Sequence, residues 1–297
     1  MNIHALRIFH HAAKHGSVTS AAKALYISQP AVTIQIKKLE AELNLPLFYL
    51  KARRIQLTAA GEMLFTQTKR LFSLEHEIES YIDEYRNGKQ GKLRIVATYL
   101  PANILLPQWV AEFKRSNENV EIIMTTANSR SAFDQLLNYQ AEVAVVGGGW
   151  EEAGIEWHYL FEDELWFIAP KDHKFANQEV SLSQIMKEPF IMREEGSSTR
   201  DRLFALCKTF NVSQPKVGLQ FTGLNETIRA VIGGYGINLI SALAVKEYIV
   251  RNEVARVYVK DVLLRRPLAI CTRKGEFLSP SAAMFVEMIK LNYKETI

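Results

Sequence analysis

Residues 17–43 read SVTSAAKALYISQPAVTIQIKKLEAEL, and this stretch decides the fold of the first part of the chain. Ser17, Val18, Thr19 and Ser20 place hydroxyls where a helix start needs acceptors for its unpaired N–H groups. Ala21, Ala22 and Ala24 leave room for a second helix to cross closely, and the run ends near Leu25, Tyr26 and Ile27. Ser28 then caps a new helix with Pro30 in its first turn, where a missing N–H costs nothing. Val32, Ile36, Leu39 and Leu43 recur at helical spacing and give that helix one apolar face. Gln29, Thr33, Gln35, Lys37 and Lys38 lie on the other face. A short helix, a corner, and a longer helix with amides and cations near its start is the layout of a helix-turn-helix DNA reader.

Charge placement supports that reading. The chain of 297 residues carries a formal net charge of +4. Residues 1–57 hold eight Lys/Arg against two acids, 58–90 hold four against six, and 91–297 are balanced. A basic head on a neutral body is the electrostatic footprint of nucleic-acid binding confined to one end. The length suits two or three domains. No apolar run reaches membrane-spanning length, and MNIHALRIFHH lacks a secretory apolar segment, so a soluble, cytoplasmic protein without a membrane partner is expected. Cys207 and Cys271 have no metal-site spacing and read as buried thiols, with no metal or cofactor expected.

Working outward, residues 3–13 form a first helix with Ile3, Leu6, Phe9 and Ala13 on one face, ended by His15 and Gly16. Asn44 takes a left-handed cap after the reader helix, and Pro46 prevents continuation. Residues 47–50 and 54–57 read as two short strands around Lys51, Ala52 and Arg53, a wing with a cationic tip. Thr58 caps a long helix to about Asn87. Leu64, Leu71, Ile78 and Tyr85 recur every seven residues, with Leu74 and Tyr81 between them and Gln67 as a weak point. This reads as a seam for a partner helix, in preference to a helix packed only on its own domain. Residues 87–91 (NGKQG) form a polar hinge. Beyond it, β-rich runs at 93–98, 120–126, 143–146, 165–169, 190–192, 217–221, 237–240, 257–259 and 268–271 alternate with helical stretches at 103–116, 129–138, 200–210, 225–233, 243–251 and 280–293. This alternation predicts an α/β domain with mainly parallel strands, whose ligands sit beyond strand carboxyl ends.

Three pieces in order, AAKALYISQPAVT (21–33), LPLF (45–48) and RRIQLTAAG (53–61), followed by a long helix and an α/β domain, resemble the LysR-type transcriptional regulators over essentially the full length. SQPAVTIQIKKLE and REEGSSTR are similar to the branch of Rubisco-operon and sulfur-assimilation regulators. The resemblance implies an N-terminal all-α winged helix-turn-helix (1–57), a linker and dimerisation helix (58–90) and a C-terminal effector-binding domain (91–297) of the α/β periplasmic-binding-protein-like type. That domain would have two subdomains, about 91–161 with 268–297, and about 162–267. It further implies double-stranded DNA as a partner, a homodimer through the linker helix, a homotetramer built from two dimers, and RNA polymerase as a further partner.

Base reading falls to Gln29 and Gln35, whose amides can pair bidentately with adenine or bridge through water, and to Thr33, whose methyl suits a thymine methyl. Pro30 and Ala31 are small enough to touch a thymine methyl, with Ser28 at the helix start. Lys37, Lys38 and Arg54 meet phosphates, and Arg53 reaches the minor groove. Ile34 and Leu50 stand where family members often carry cations. For the effector, Gly196, Ser197, Ser198, Thr199 and Arg200 open a helix with N–H groups, hydroxyls and a cation together, an anion site. Thr98, Tyr99, Asn128 and Thr222 sit at other strand ends, and the resemblance places a small-molecule co-inducer among them. The alternatives are an enzyme on the same architecture or a DNA-binding protein with a passive, ligand-independent oligomerisation domain. No GxSxG, HExxH, phosphate loop or dinucleotide fingerprint is present, so no catalytic residue is expected. Gly147, Gly148 and Gly149 read as a loop near the subdomain crossover.

Overall fold

The computed structural model describes residues 2–51, 54–87, 91–148 and 152–294. The chain divides into two compact units, Met1–Ser80 and Tyr81–Ile297. In the first, three helices pack together: α1 (Ile3–His15), α2 (Val18–Ala24) and α3 (Gln29–Leu43). Each starts on a side-chain cap. Asn2 accepts from Ala5 N–H, Ser17 from Ser20 N–H and Ser28 from Ala31 N–H, at 2.7, 3.2 and 3.3 Å. Gly16 and Asn44 end α1 and α3 in the left-handed region, at φ +59° and +51°.

Ala21 and Ala22 are buried where α2 meets α1 and α3, together with Ile8, Ala12, Val32 and Ile36. Ala24, expected at the same crossing, faces solvent. Ile3 is also exposed. The buried face of α1 is Ala5, Leu6, Ile8, Phe9 and Ala12, because α1 is covered on two sides and not along one stripe.

Strands β1 (Phe48–Lys51) and β2 (Arg54–Leu57) pair antiparallel as the wing. Glu40 ties its first strand to α3 by accepting the N–H groups of Leu47 and Phe48 at 2.7 and 3.1 Å. Thr58 closes the wing. Its hydroxyl donates to the Pro46 carbonyl at 2.6 Å and accepts the Gly61 N–H at 3.0 Å, opening α4 (Ala59–Asn87). A Cβ at Gly61 would lie 2.2 Å from the Leu47 carbonyl oxygen, so only glycine lets α4 start this close to the wing.

One face of α4 lies on α1. Thr68 is buried beside His10, with Oγ1 and Nδ1 3.2 Å apart; Arg7 pairs with Glu75 and stacks on Phe72 at 4.6 Å. Leu64 also joins this core. Leu71 and Ile78, two members of the seven-residue stripe, are exposed together with Ile82. The side chain of Tyr85 lies outside the described residues. The helix therefore has a covered face toward α1 and a separate, open apolar face.

The second unit is built on a mixed sheet in the order β4-β3-β5-β12-β6-β11-β7, with β10 also paired to β6. Strands β3 (Lys92–Ala97), β4 (Glu121–Thr126) and β5 (Val143–Gly147) are parallel. Alternate residues of β3 and β5 feed two cores. Leu93, Ile95, Val143 and Val145 face Trp109, Phe113 and Phe285, while Val96, Ala144 and Val146 face Phe133 and Leu136. The helices supplying them are α5 (Leu106–Ser116), entered through a π-helical turn at Pro101–Leu105, α6 (Ser129–Leu137) and α11 (Pro280–Lys294).

The expectation of mainly parallel strands holds only in part: beyond β5, residues 190–193 pair parallel with 217–221 and 179–180 with 258–259, but the long central ladders are antiparallel. β6 (Ile155–Pro170) and β12 (Leu264–Arg273) are long and antiparallel to each other, and β6 also pairs antiparallel with β10 (Asn238–Ser241) and β11 (Val254–Val259). Only 165–169 of β6 is apolar enough to read as a strand, because residues 156–164 (EWHYLFEDE) carry four acids, exposed at Glu156 and Glu162, half-buried at Glu164 and buried at Asp163. The short elements β7 (Glu179–Val180) and α7 (Leu182–Ile185) also escape the sequence pattern. At the centre of the β6–β12 ladder the register slips by one residue between Leu268 and Ala269. One side of that bulge belongs to the cores just described. The other holds two further cores around Phe167, Phe190, Leu203 and Leu239, and around Ile168, Ile191, Ile228 and Val245. These gather β8 (Phe190–Arg193), β9 (Val217–Phe221), α8 (Ser198–Thr209), α9 (Leu224–Ile232) and α10 (Ala242–Val250). The result is two α/β subdomains joined by two crossing strands, with a cleft between them.

Candidate functional site

In the first unit the start of α3 stands clear of the core. Gln29, Pro30, Lys37 and Lys38 are exposed, and Ala31, Thr33 and Gln35 are half-buried. Gln29 Oε1 accepts from the Thr19 hydroxyl of α2 at 3.2 Å, which leaves its amide N–H groups to project outward as donors. The Thr33 hydroxyl donates back to the Gln29 carbonyl at 3.1 Å. Ile34 and Leu50, at 52 % and 77 % exposed, are apolar patches on this otherwise polar face. A groove lined by Ser17, Thr19, Gln29, Leu50, Ile55 and Gln56 separates the α3 start from the wing. Arg53 lies outside the described residues, as do the side chains of Lys51 and Arg54, whose backbones close the two wing strands.

In the second unit a narrow cleft lies between the subdomains. One wall comes from the carboxyl ends of β3, β4 and β5: Thr98, Tyr99, Leu100, Asn128, Ser129 and Gly147. The other comes from Arg193 at the end of β8, Ser197, Ser198 and Thr199 at the start of α8, Leu224, and Arg266 of β12. Six of the residues expected there are thus brought together: Thr98, Tyr99, Asn128, Ser197, Ser198 and Thr199. Gly196, Arg200 and Thr222 do not line the cleft. Gly196 sits behind Asn128 at φ +81°, where a Cβ would meet the Asn128 amide at 3.1 Å. Arg200 turns away, donating to the Arg193 carbonyl at 3.1 Å and to Gln220 at 2.9 Å. Thr222 is exposed.

Hydrogen bonds span the cleft. Asn128 caps α6 through Ser131 N–H at 2.9 Å and donates to the Glu195 carbonyl at 3.0 Å. Ser198 donates to the Gly147 carbonyl at 2.8 Å, and Thr98 accepts the Gly147 N–H at 2.8 Å. Arg266 is the buried hub. Its Nε donates to Asp163 at 2.9 Å, and its Nη1 to the Gly147 carbonyl and the Thr199 hydroxyl at 3.2 and 3.1 Å. Asp163 is held from its other side by Ser241 at 2.8 Å. Burial pushes the Arg266 pKa down, Asp163 acts to raise it, and the like charges of Arg193 and Arg202 push down again. An anion in the cleft would relieve that crowding of cations.

Ser197 takes the cap position of α8 with extended backbone, yet its side chain makes no capping bond. It is buried and lines the cleft. The first N–H groups of α8 have no acceptor within the helix. No Asp or Glu lines the cleft among the described residues; Asp163 and Glu194 stand behind their guanidinium partners. Oriented N–H dipoles and hydroxyls are the groups that suit negative charge. Sequence reasoning missed Arg193 and Arg266. Arg193 adjoins the recognised EEGSST run, whereas nothing in the sequence couples Arg266 to residues nearly 70 positions earlier.

Two family models match the chain: "Bacterial regulatory helix-turn-helix protein, lysR family" over residues 3–62, and "LysR substrate binding domain" over residues 86–293. The chain belongs to the LysR family. It is a LysR-type transcriptional regulator with a DNA-binding helix-turn-helix and an effector-binding domain, and not an enzyme. It is similar to the RuBisCO operon transcriptional regulator of Allochromatium vinosum, 28 % identical with 97 % of this chain and 95 % of that one covered. It is also similar to CysL of Bacillus subtilis, 25 % identical over 98 % of each chain. Among solved structures, CbnR shares the fold over 99 % of both chains, with a TM-score of 0.71 at 21 % identity. The regulatory domain of Synechocystis CcmR in complex with 2-PG shares it over 68 % of this chain and 97 % of its own, with a TM-score of 0.63 at 22 % identity. Among the described residues no helix is long and apolar enough to cross a membrane.

Proposed function

We propose that this LysR-type regulator responds to a small anionic metabolite bound between its two effector-domain subdomains. The observation that carries the reading is the start of α8. The first turn of α8 brings Ser198, Thr199 and the uncommitted Ser197 hydroxyl to a cleft that no carboxylate among the described residues lines. The CcmR regulatory domain with 2-PG supports a small-molecule effector at this fold. Ligand would draw Thr98, Asn128 and Ser129 of one subdomain toward Ser197, Ser198 and Thr199 of the other. It shifts the regulator only as far as its affinities for two arrangements differ.

On DNA, Ser28, Gln29, Pro30, Ala31, Thr33 and Gln35 meet base edges. Lys37, Lys38 and Arg54 meet phosphate, and Arg53 the minor groove. The linker region 58–90 pairs two chains through the open face of α4, placing two readers on one side of a roughly palindromic site. A tetramer of two such dimers, acting in the cytoplasm and passing its state to RNA polymerase, completes the reading.

Isothermal calorimetry of the full chain against organic acids, phosphates and sulfur anions tests the effector class. The expected result is binding by anions alone, weakened at least about tenfold by Ser197→Ala. Binding restricted to neutral or cationic compounds and indifferent to that change would sink the reading.

A further inference from the structure

One part of the cleft wall is not explained by the start of α8. Arg193 is the last residue of β8, and Glu194 is the first beyond it. Successive strand side chains point to opposite faces. These two meet only because the chain turns out of the strand after Arg193. They form a two-pronged pair, with Arg193 Nε donating to Glu194 Oε2 at 2.9 Å and Nη2 to Oε1 at 3.1 Å. Both residues are more than nine-tenths buried, at 7 % and 8 % exposed, yet only Arg193 reaches the cleft.

From the opposite subdomain, the Tyr99 ring lies 4.8 Å from the guanidinium carbon. The guanidinium is thus fixed on one edge by Glu194 and on one face by Tyr99. Its remaining nitrogen, Nη1, carries two N–H groups and has no acceptor among the described residues. A charged donor held in place and left unpaired in a nearly buried position favours an acceptor from outside. Ser197 is a second such group, 4 % exposed and without a capping partner.

Resting on the anionic-effector reading above, we infer that Arg193 is a second recognition point in the cleft. The effector carries two anionic groups on one short skeleton. One sits on the N–H groups and Ser197 hydroxyl at the start of α8, and the other accepts from Nη1 of Arg193. Glu194 is a positioning residue: it holds the fork and stays off the cleft surface. Tyr99 covers the same guanidinium, which gives a physical role to an aromatic ring where the family usually offers a second hydroxyl.

The test compares probes with one and two anionic groups on the full chain by calorimetry: acetate against malonate, and methyl phosphate against phosphonoacetate. Malonate and phosphonoacetate are expected to bind at least about tenfold more tightly than their partners. In the double variant R193Q/E194Q, which leaves no buried carboxylate unpaired, that preference is expected to fall to about twofold or less, chiefly through weaker binding of malonate and phosphonoacetate. S197A is expected to weaken all four alike. Thermal unfolding without ligand checks that the double variant folds; if it does not, R193K, which keeps the charge but loses the fork, is expected to lose most of the preference. A preference that survives either folded variant, or an equal loss for all four probes, overturns the inference. Binding of the anions without any preference in the unaltered protein overturns it alone, whereas no binding of any anion overturns it together with the effector class.

Discussion

Gln29 shows how a neighbour orients one side chain. Its carbonyl oxygen is engaged by Thr19, so the amide presents donors outward, matched to acceptors such as purine N7. Gln29→Ala is expected to cost roughly 1–3 kcal/mol at one base pair and to relax preference there. Thr19→Val should relax the same position by freeing the amide to flip. Lys38→Ala should weaken all sequences alike and flatten the salt dependence. Gel-shift titrations on sequence variants at several salt concentrations separate these outcomes; unchanged base preference in Gln29→Ala would remove the glutamine from the reading face.

His10 carries a pH signature at the same scale. Burial against α4, then the positive surroundings of His11, Lys14, Lys69 and Arg7, lower its pKa from 6.5 to about 4. A folded-state value below the unfolded one means that protonation favours the unfolded chain. The contribution is fully present above pH 6.5 and is lost as pH falls toward 4. His11 shifts in the same direction, again chiefly through burial. His10→Gln should therefore flatten the loss of stability between pH 6.5 and 4, read as melting temperature against pH. An unaltered slope would show that His10 is not the group being titrated.

At the scale of elements, α4 was legible as a long helix from its periodicity, but its two faces were not separable in sequence. Phe65, Thr68, Phe72 and Glu75 pack on α1, and Leu71 and Ile78 remain open. If the open face joins two chains, Leu71→Lys with Ile78→Lys should turn a dimer into a folded monomer by sedimentation, with DNA affinity reduced. A dimer that persists would move the interface elsewhere. The junction of wing and α4 depends on backbone approach. Gly61→Ala places a methyl against the Leu47 carbonyl and should destabilise this unit by roughly 1–3 kcal/mol in denaturant titration.

At the scale of the effector-binding domain, Arg266 and Asp163 join the subdomains across the crossing strands. Arg266→Ala leaves Asp163 buried with only Ser241 as partner and should cost roughly 3–5 kcal/mol of stability. Urea titration of R266A against the unaltered protein checks this, and a loss under about 1 kcal/mol would mean that Asp163 is re-solvated.

What the sequence determined by itself was local. Caps at Ser17, Ser28 and Thr58, left-handed turns at Gly16 and Asn44, and the apolar face of α3 are set by residues a few positions apart, where side-chain geometry and helix period act directly. The run EGSST announced the helix start at Ser198 for the same reason. Only the tertiary structure decided that β6 and β12 run antiparallel through both subdomains. Their charged stretches are stabilised by pairing partners about a hundred residues away, as in Arg266 with Asp163, and not by local propensity. The same long-range closure brought Arg193 and Arg266 to the cleft and left Arg200 and Thr222 outside it. Which polar groups face a ligand depends on how two cores dock, and that information is carried by packing between distant segments rather than by spacing within one.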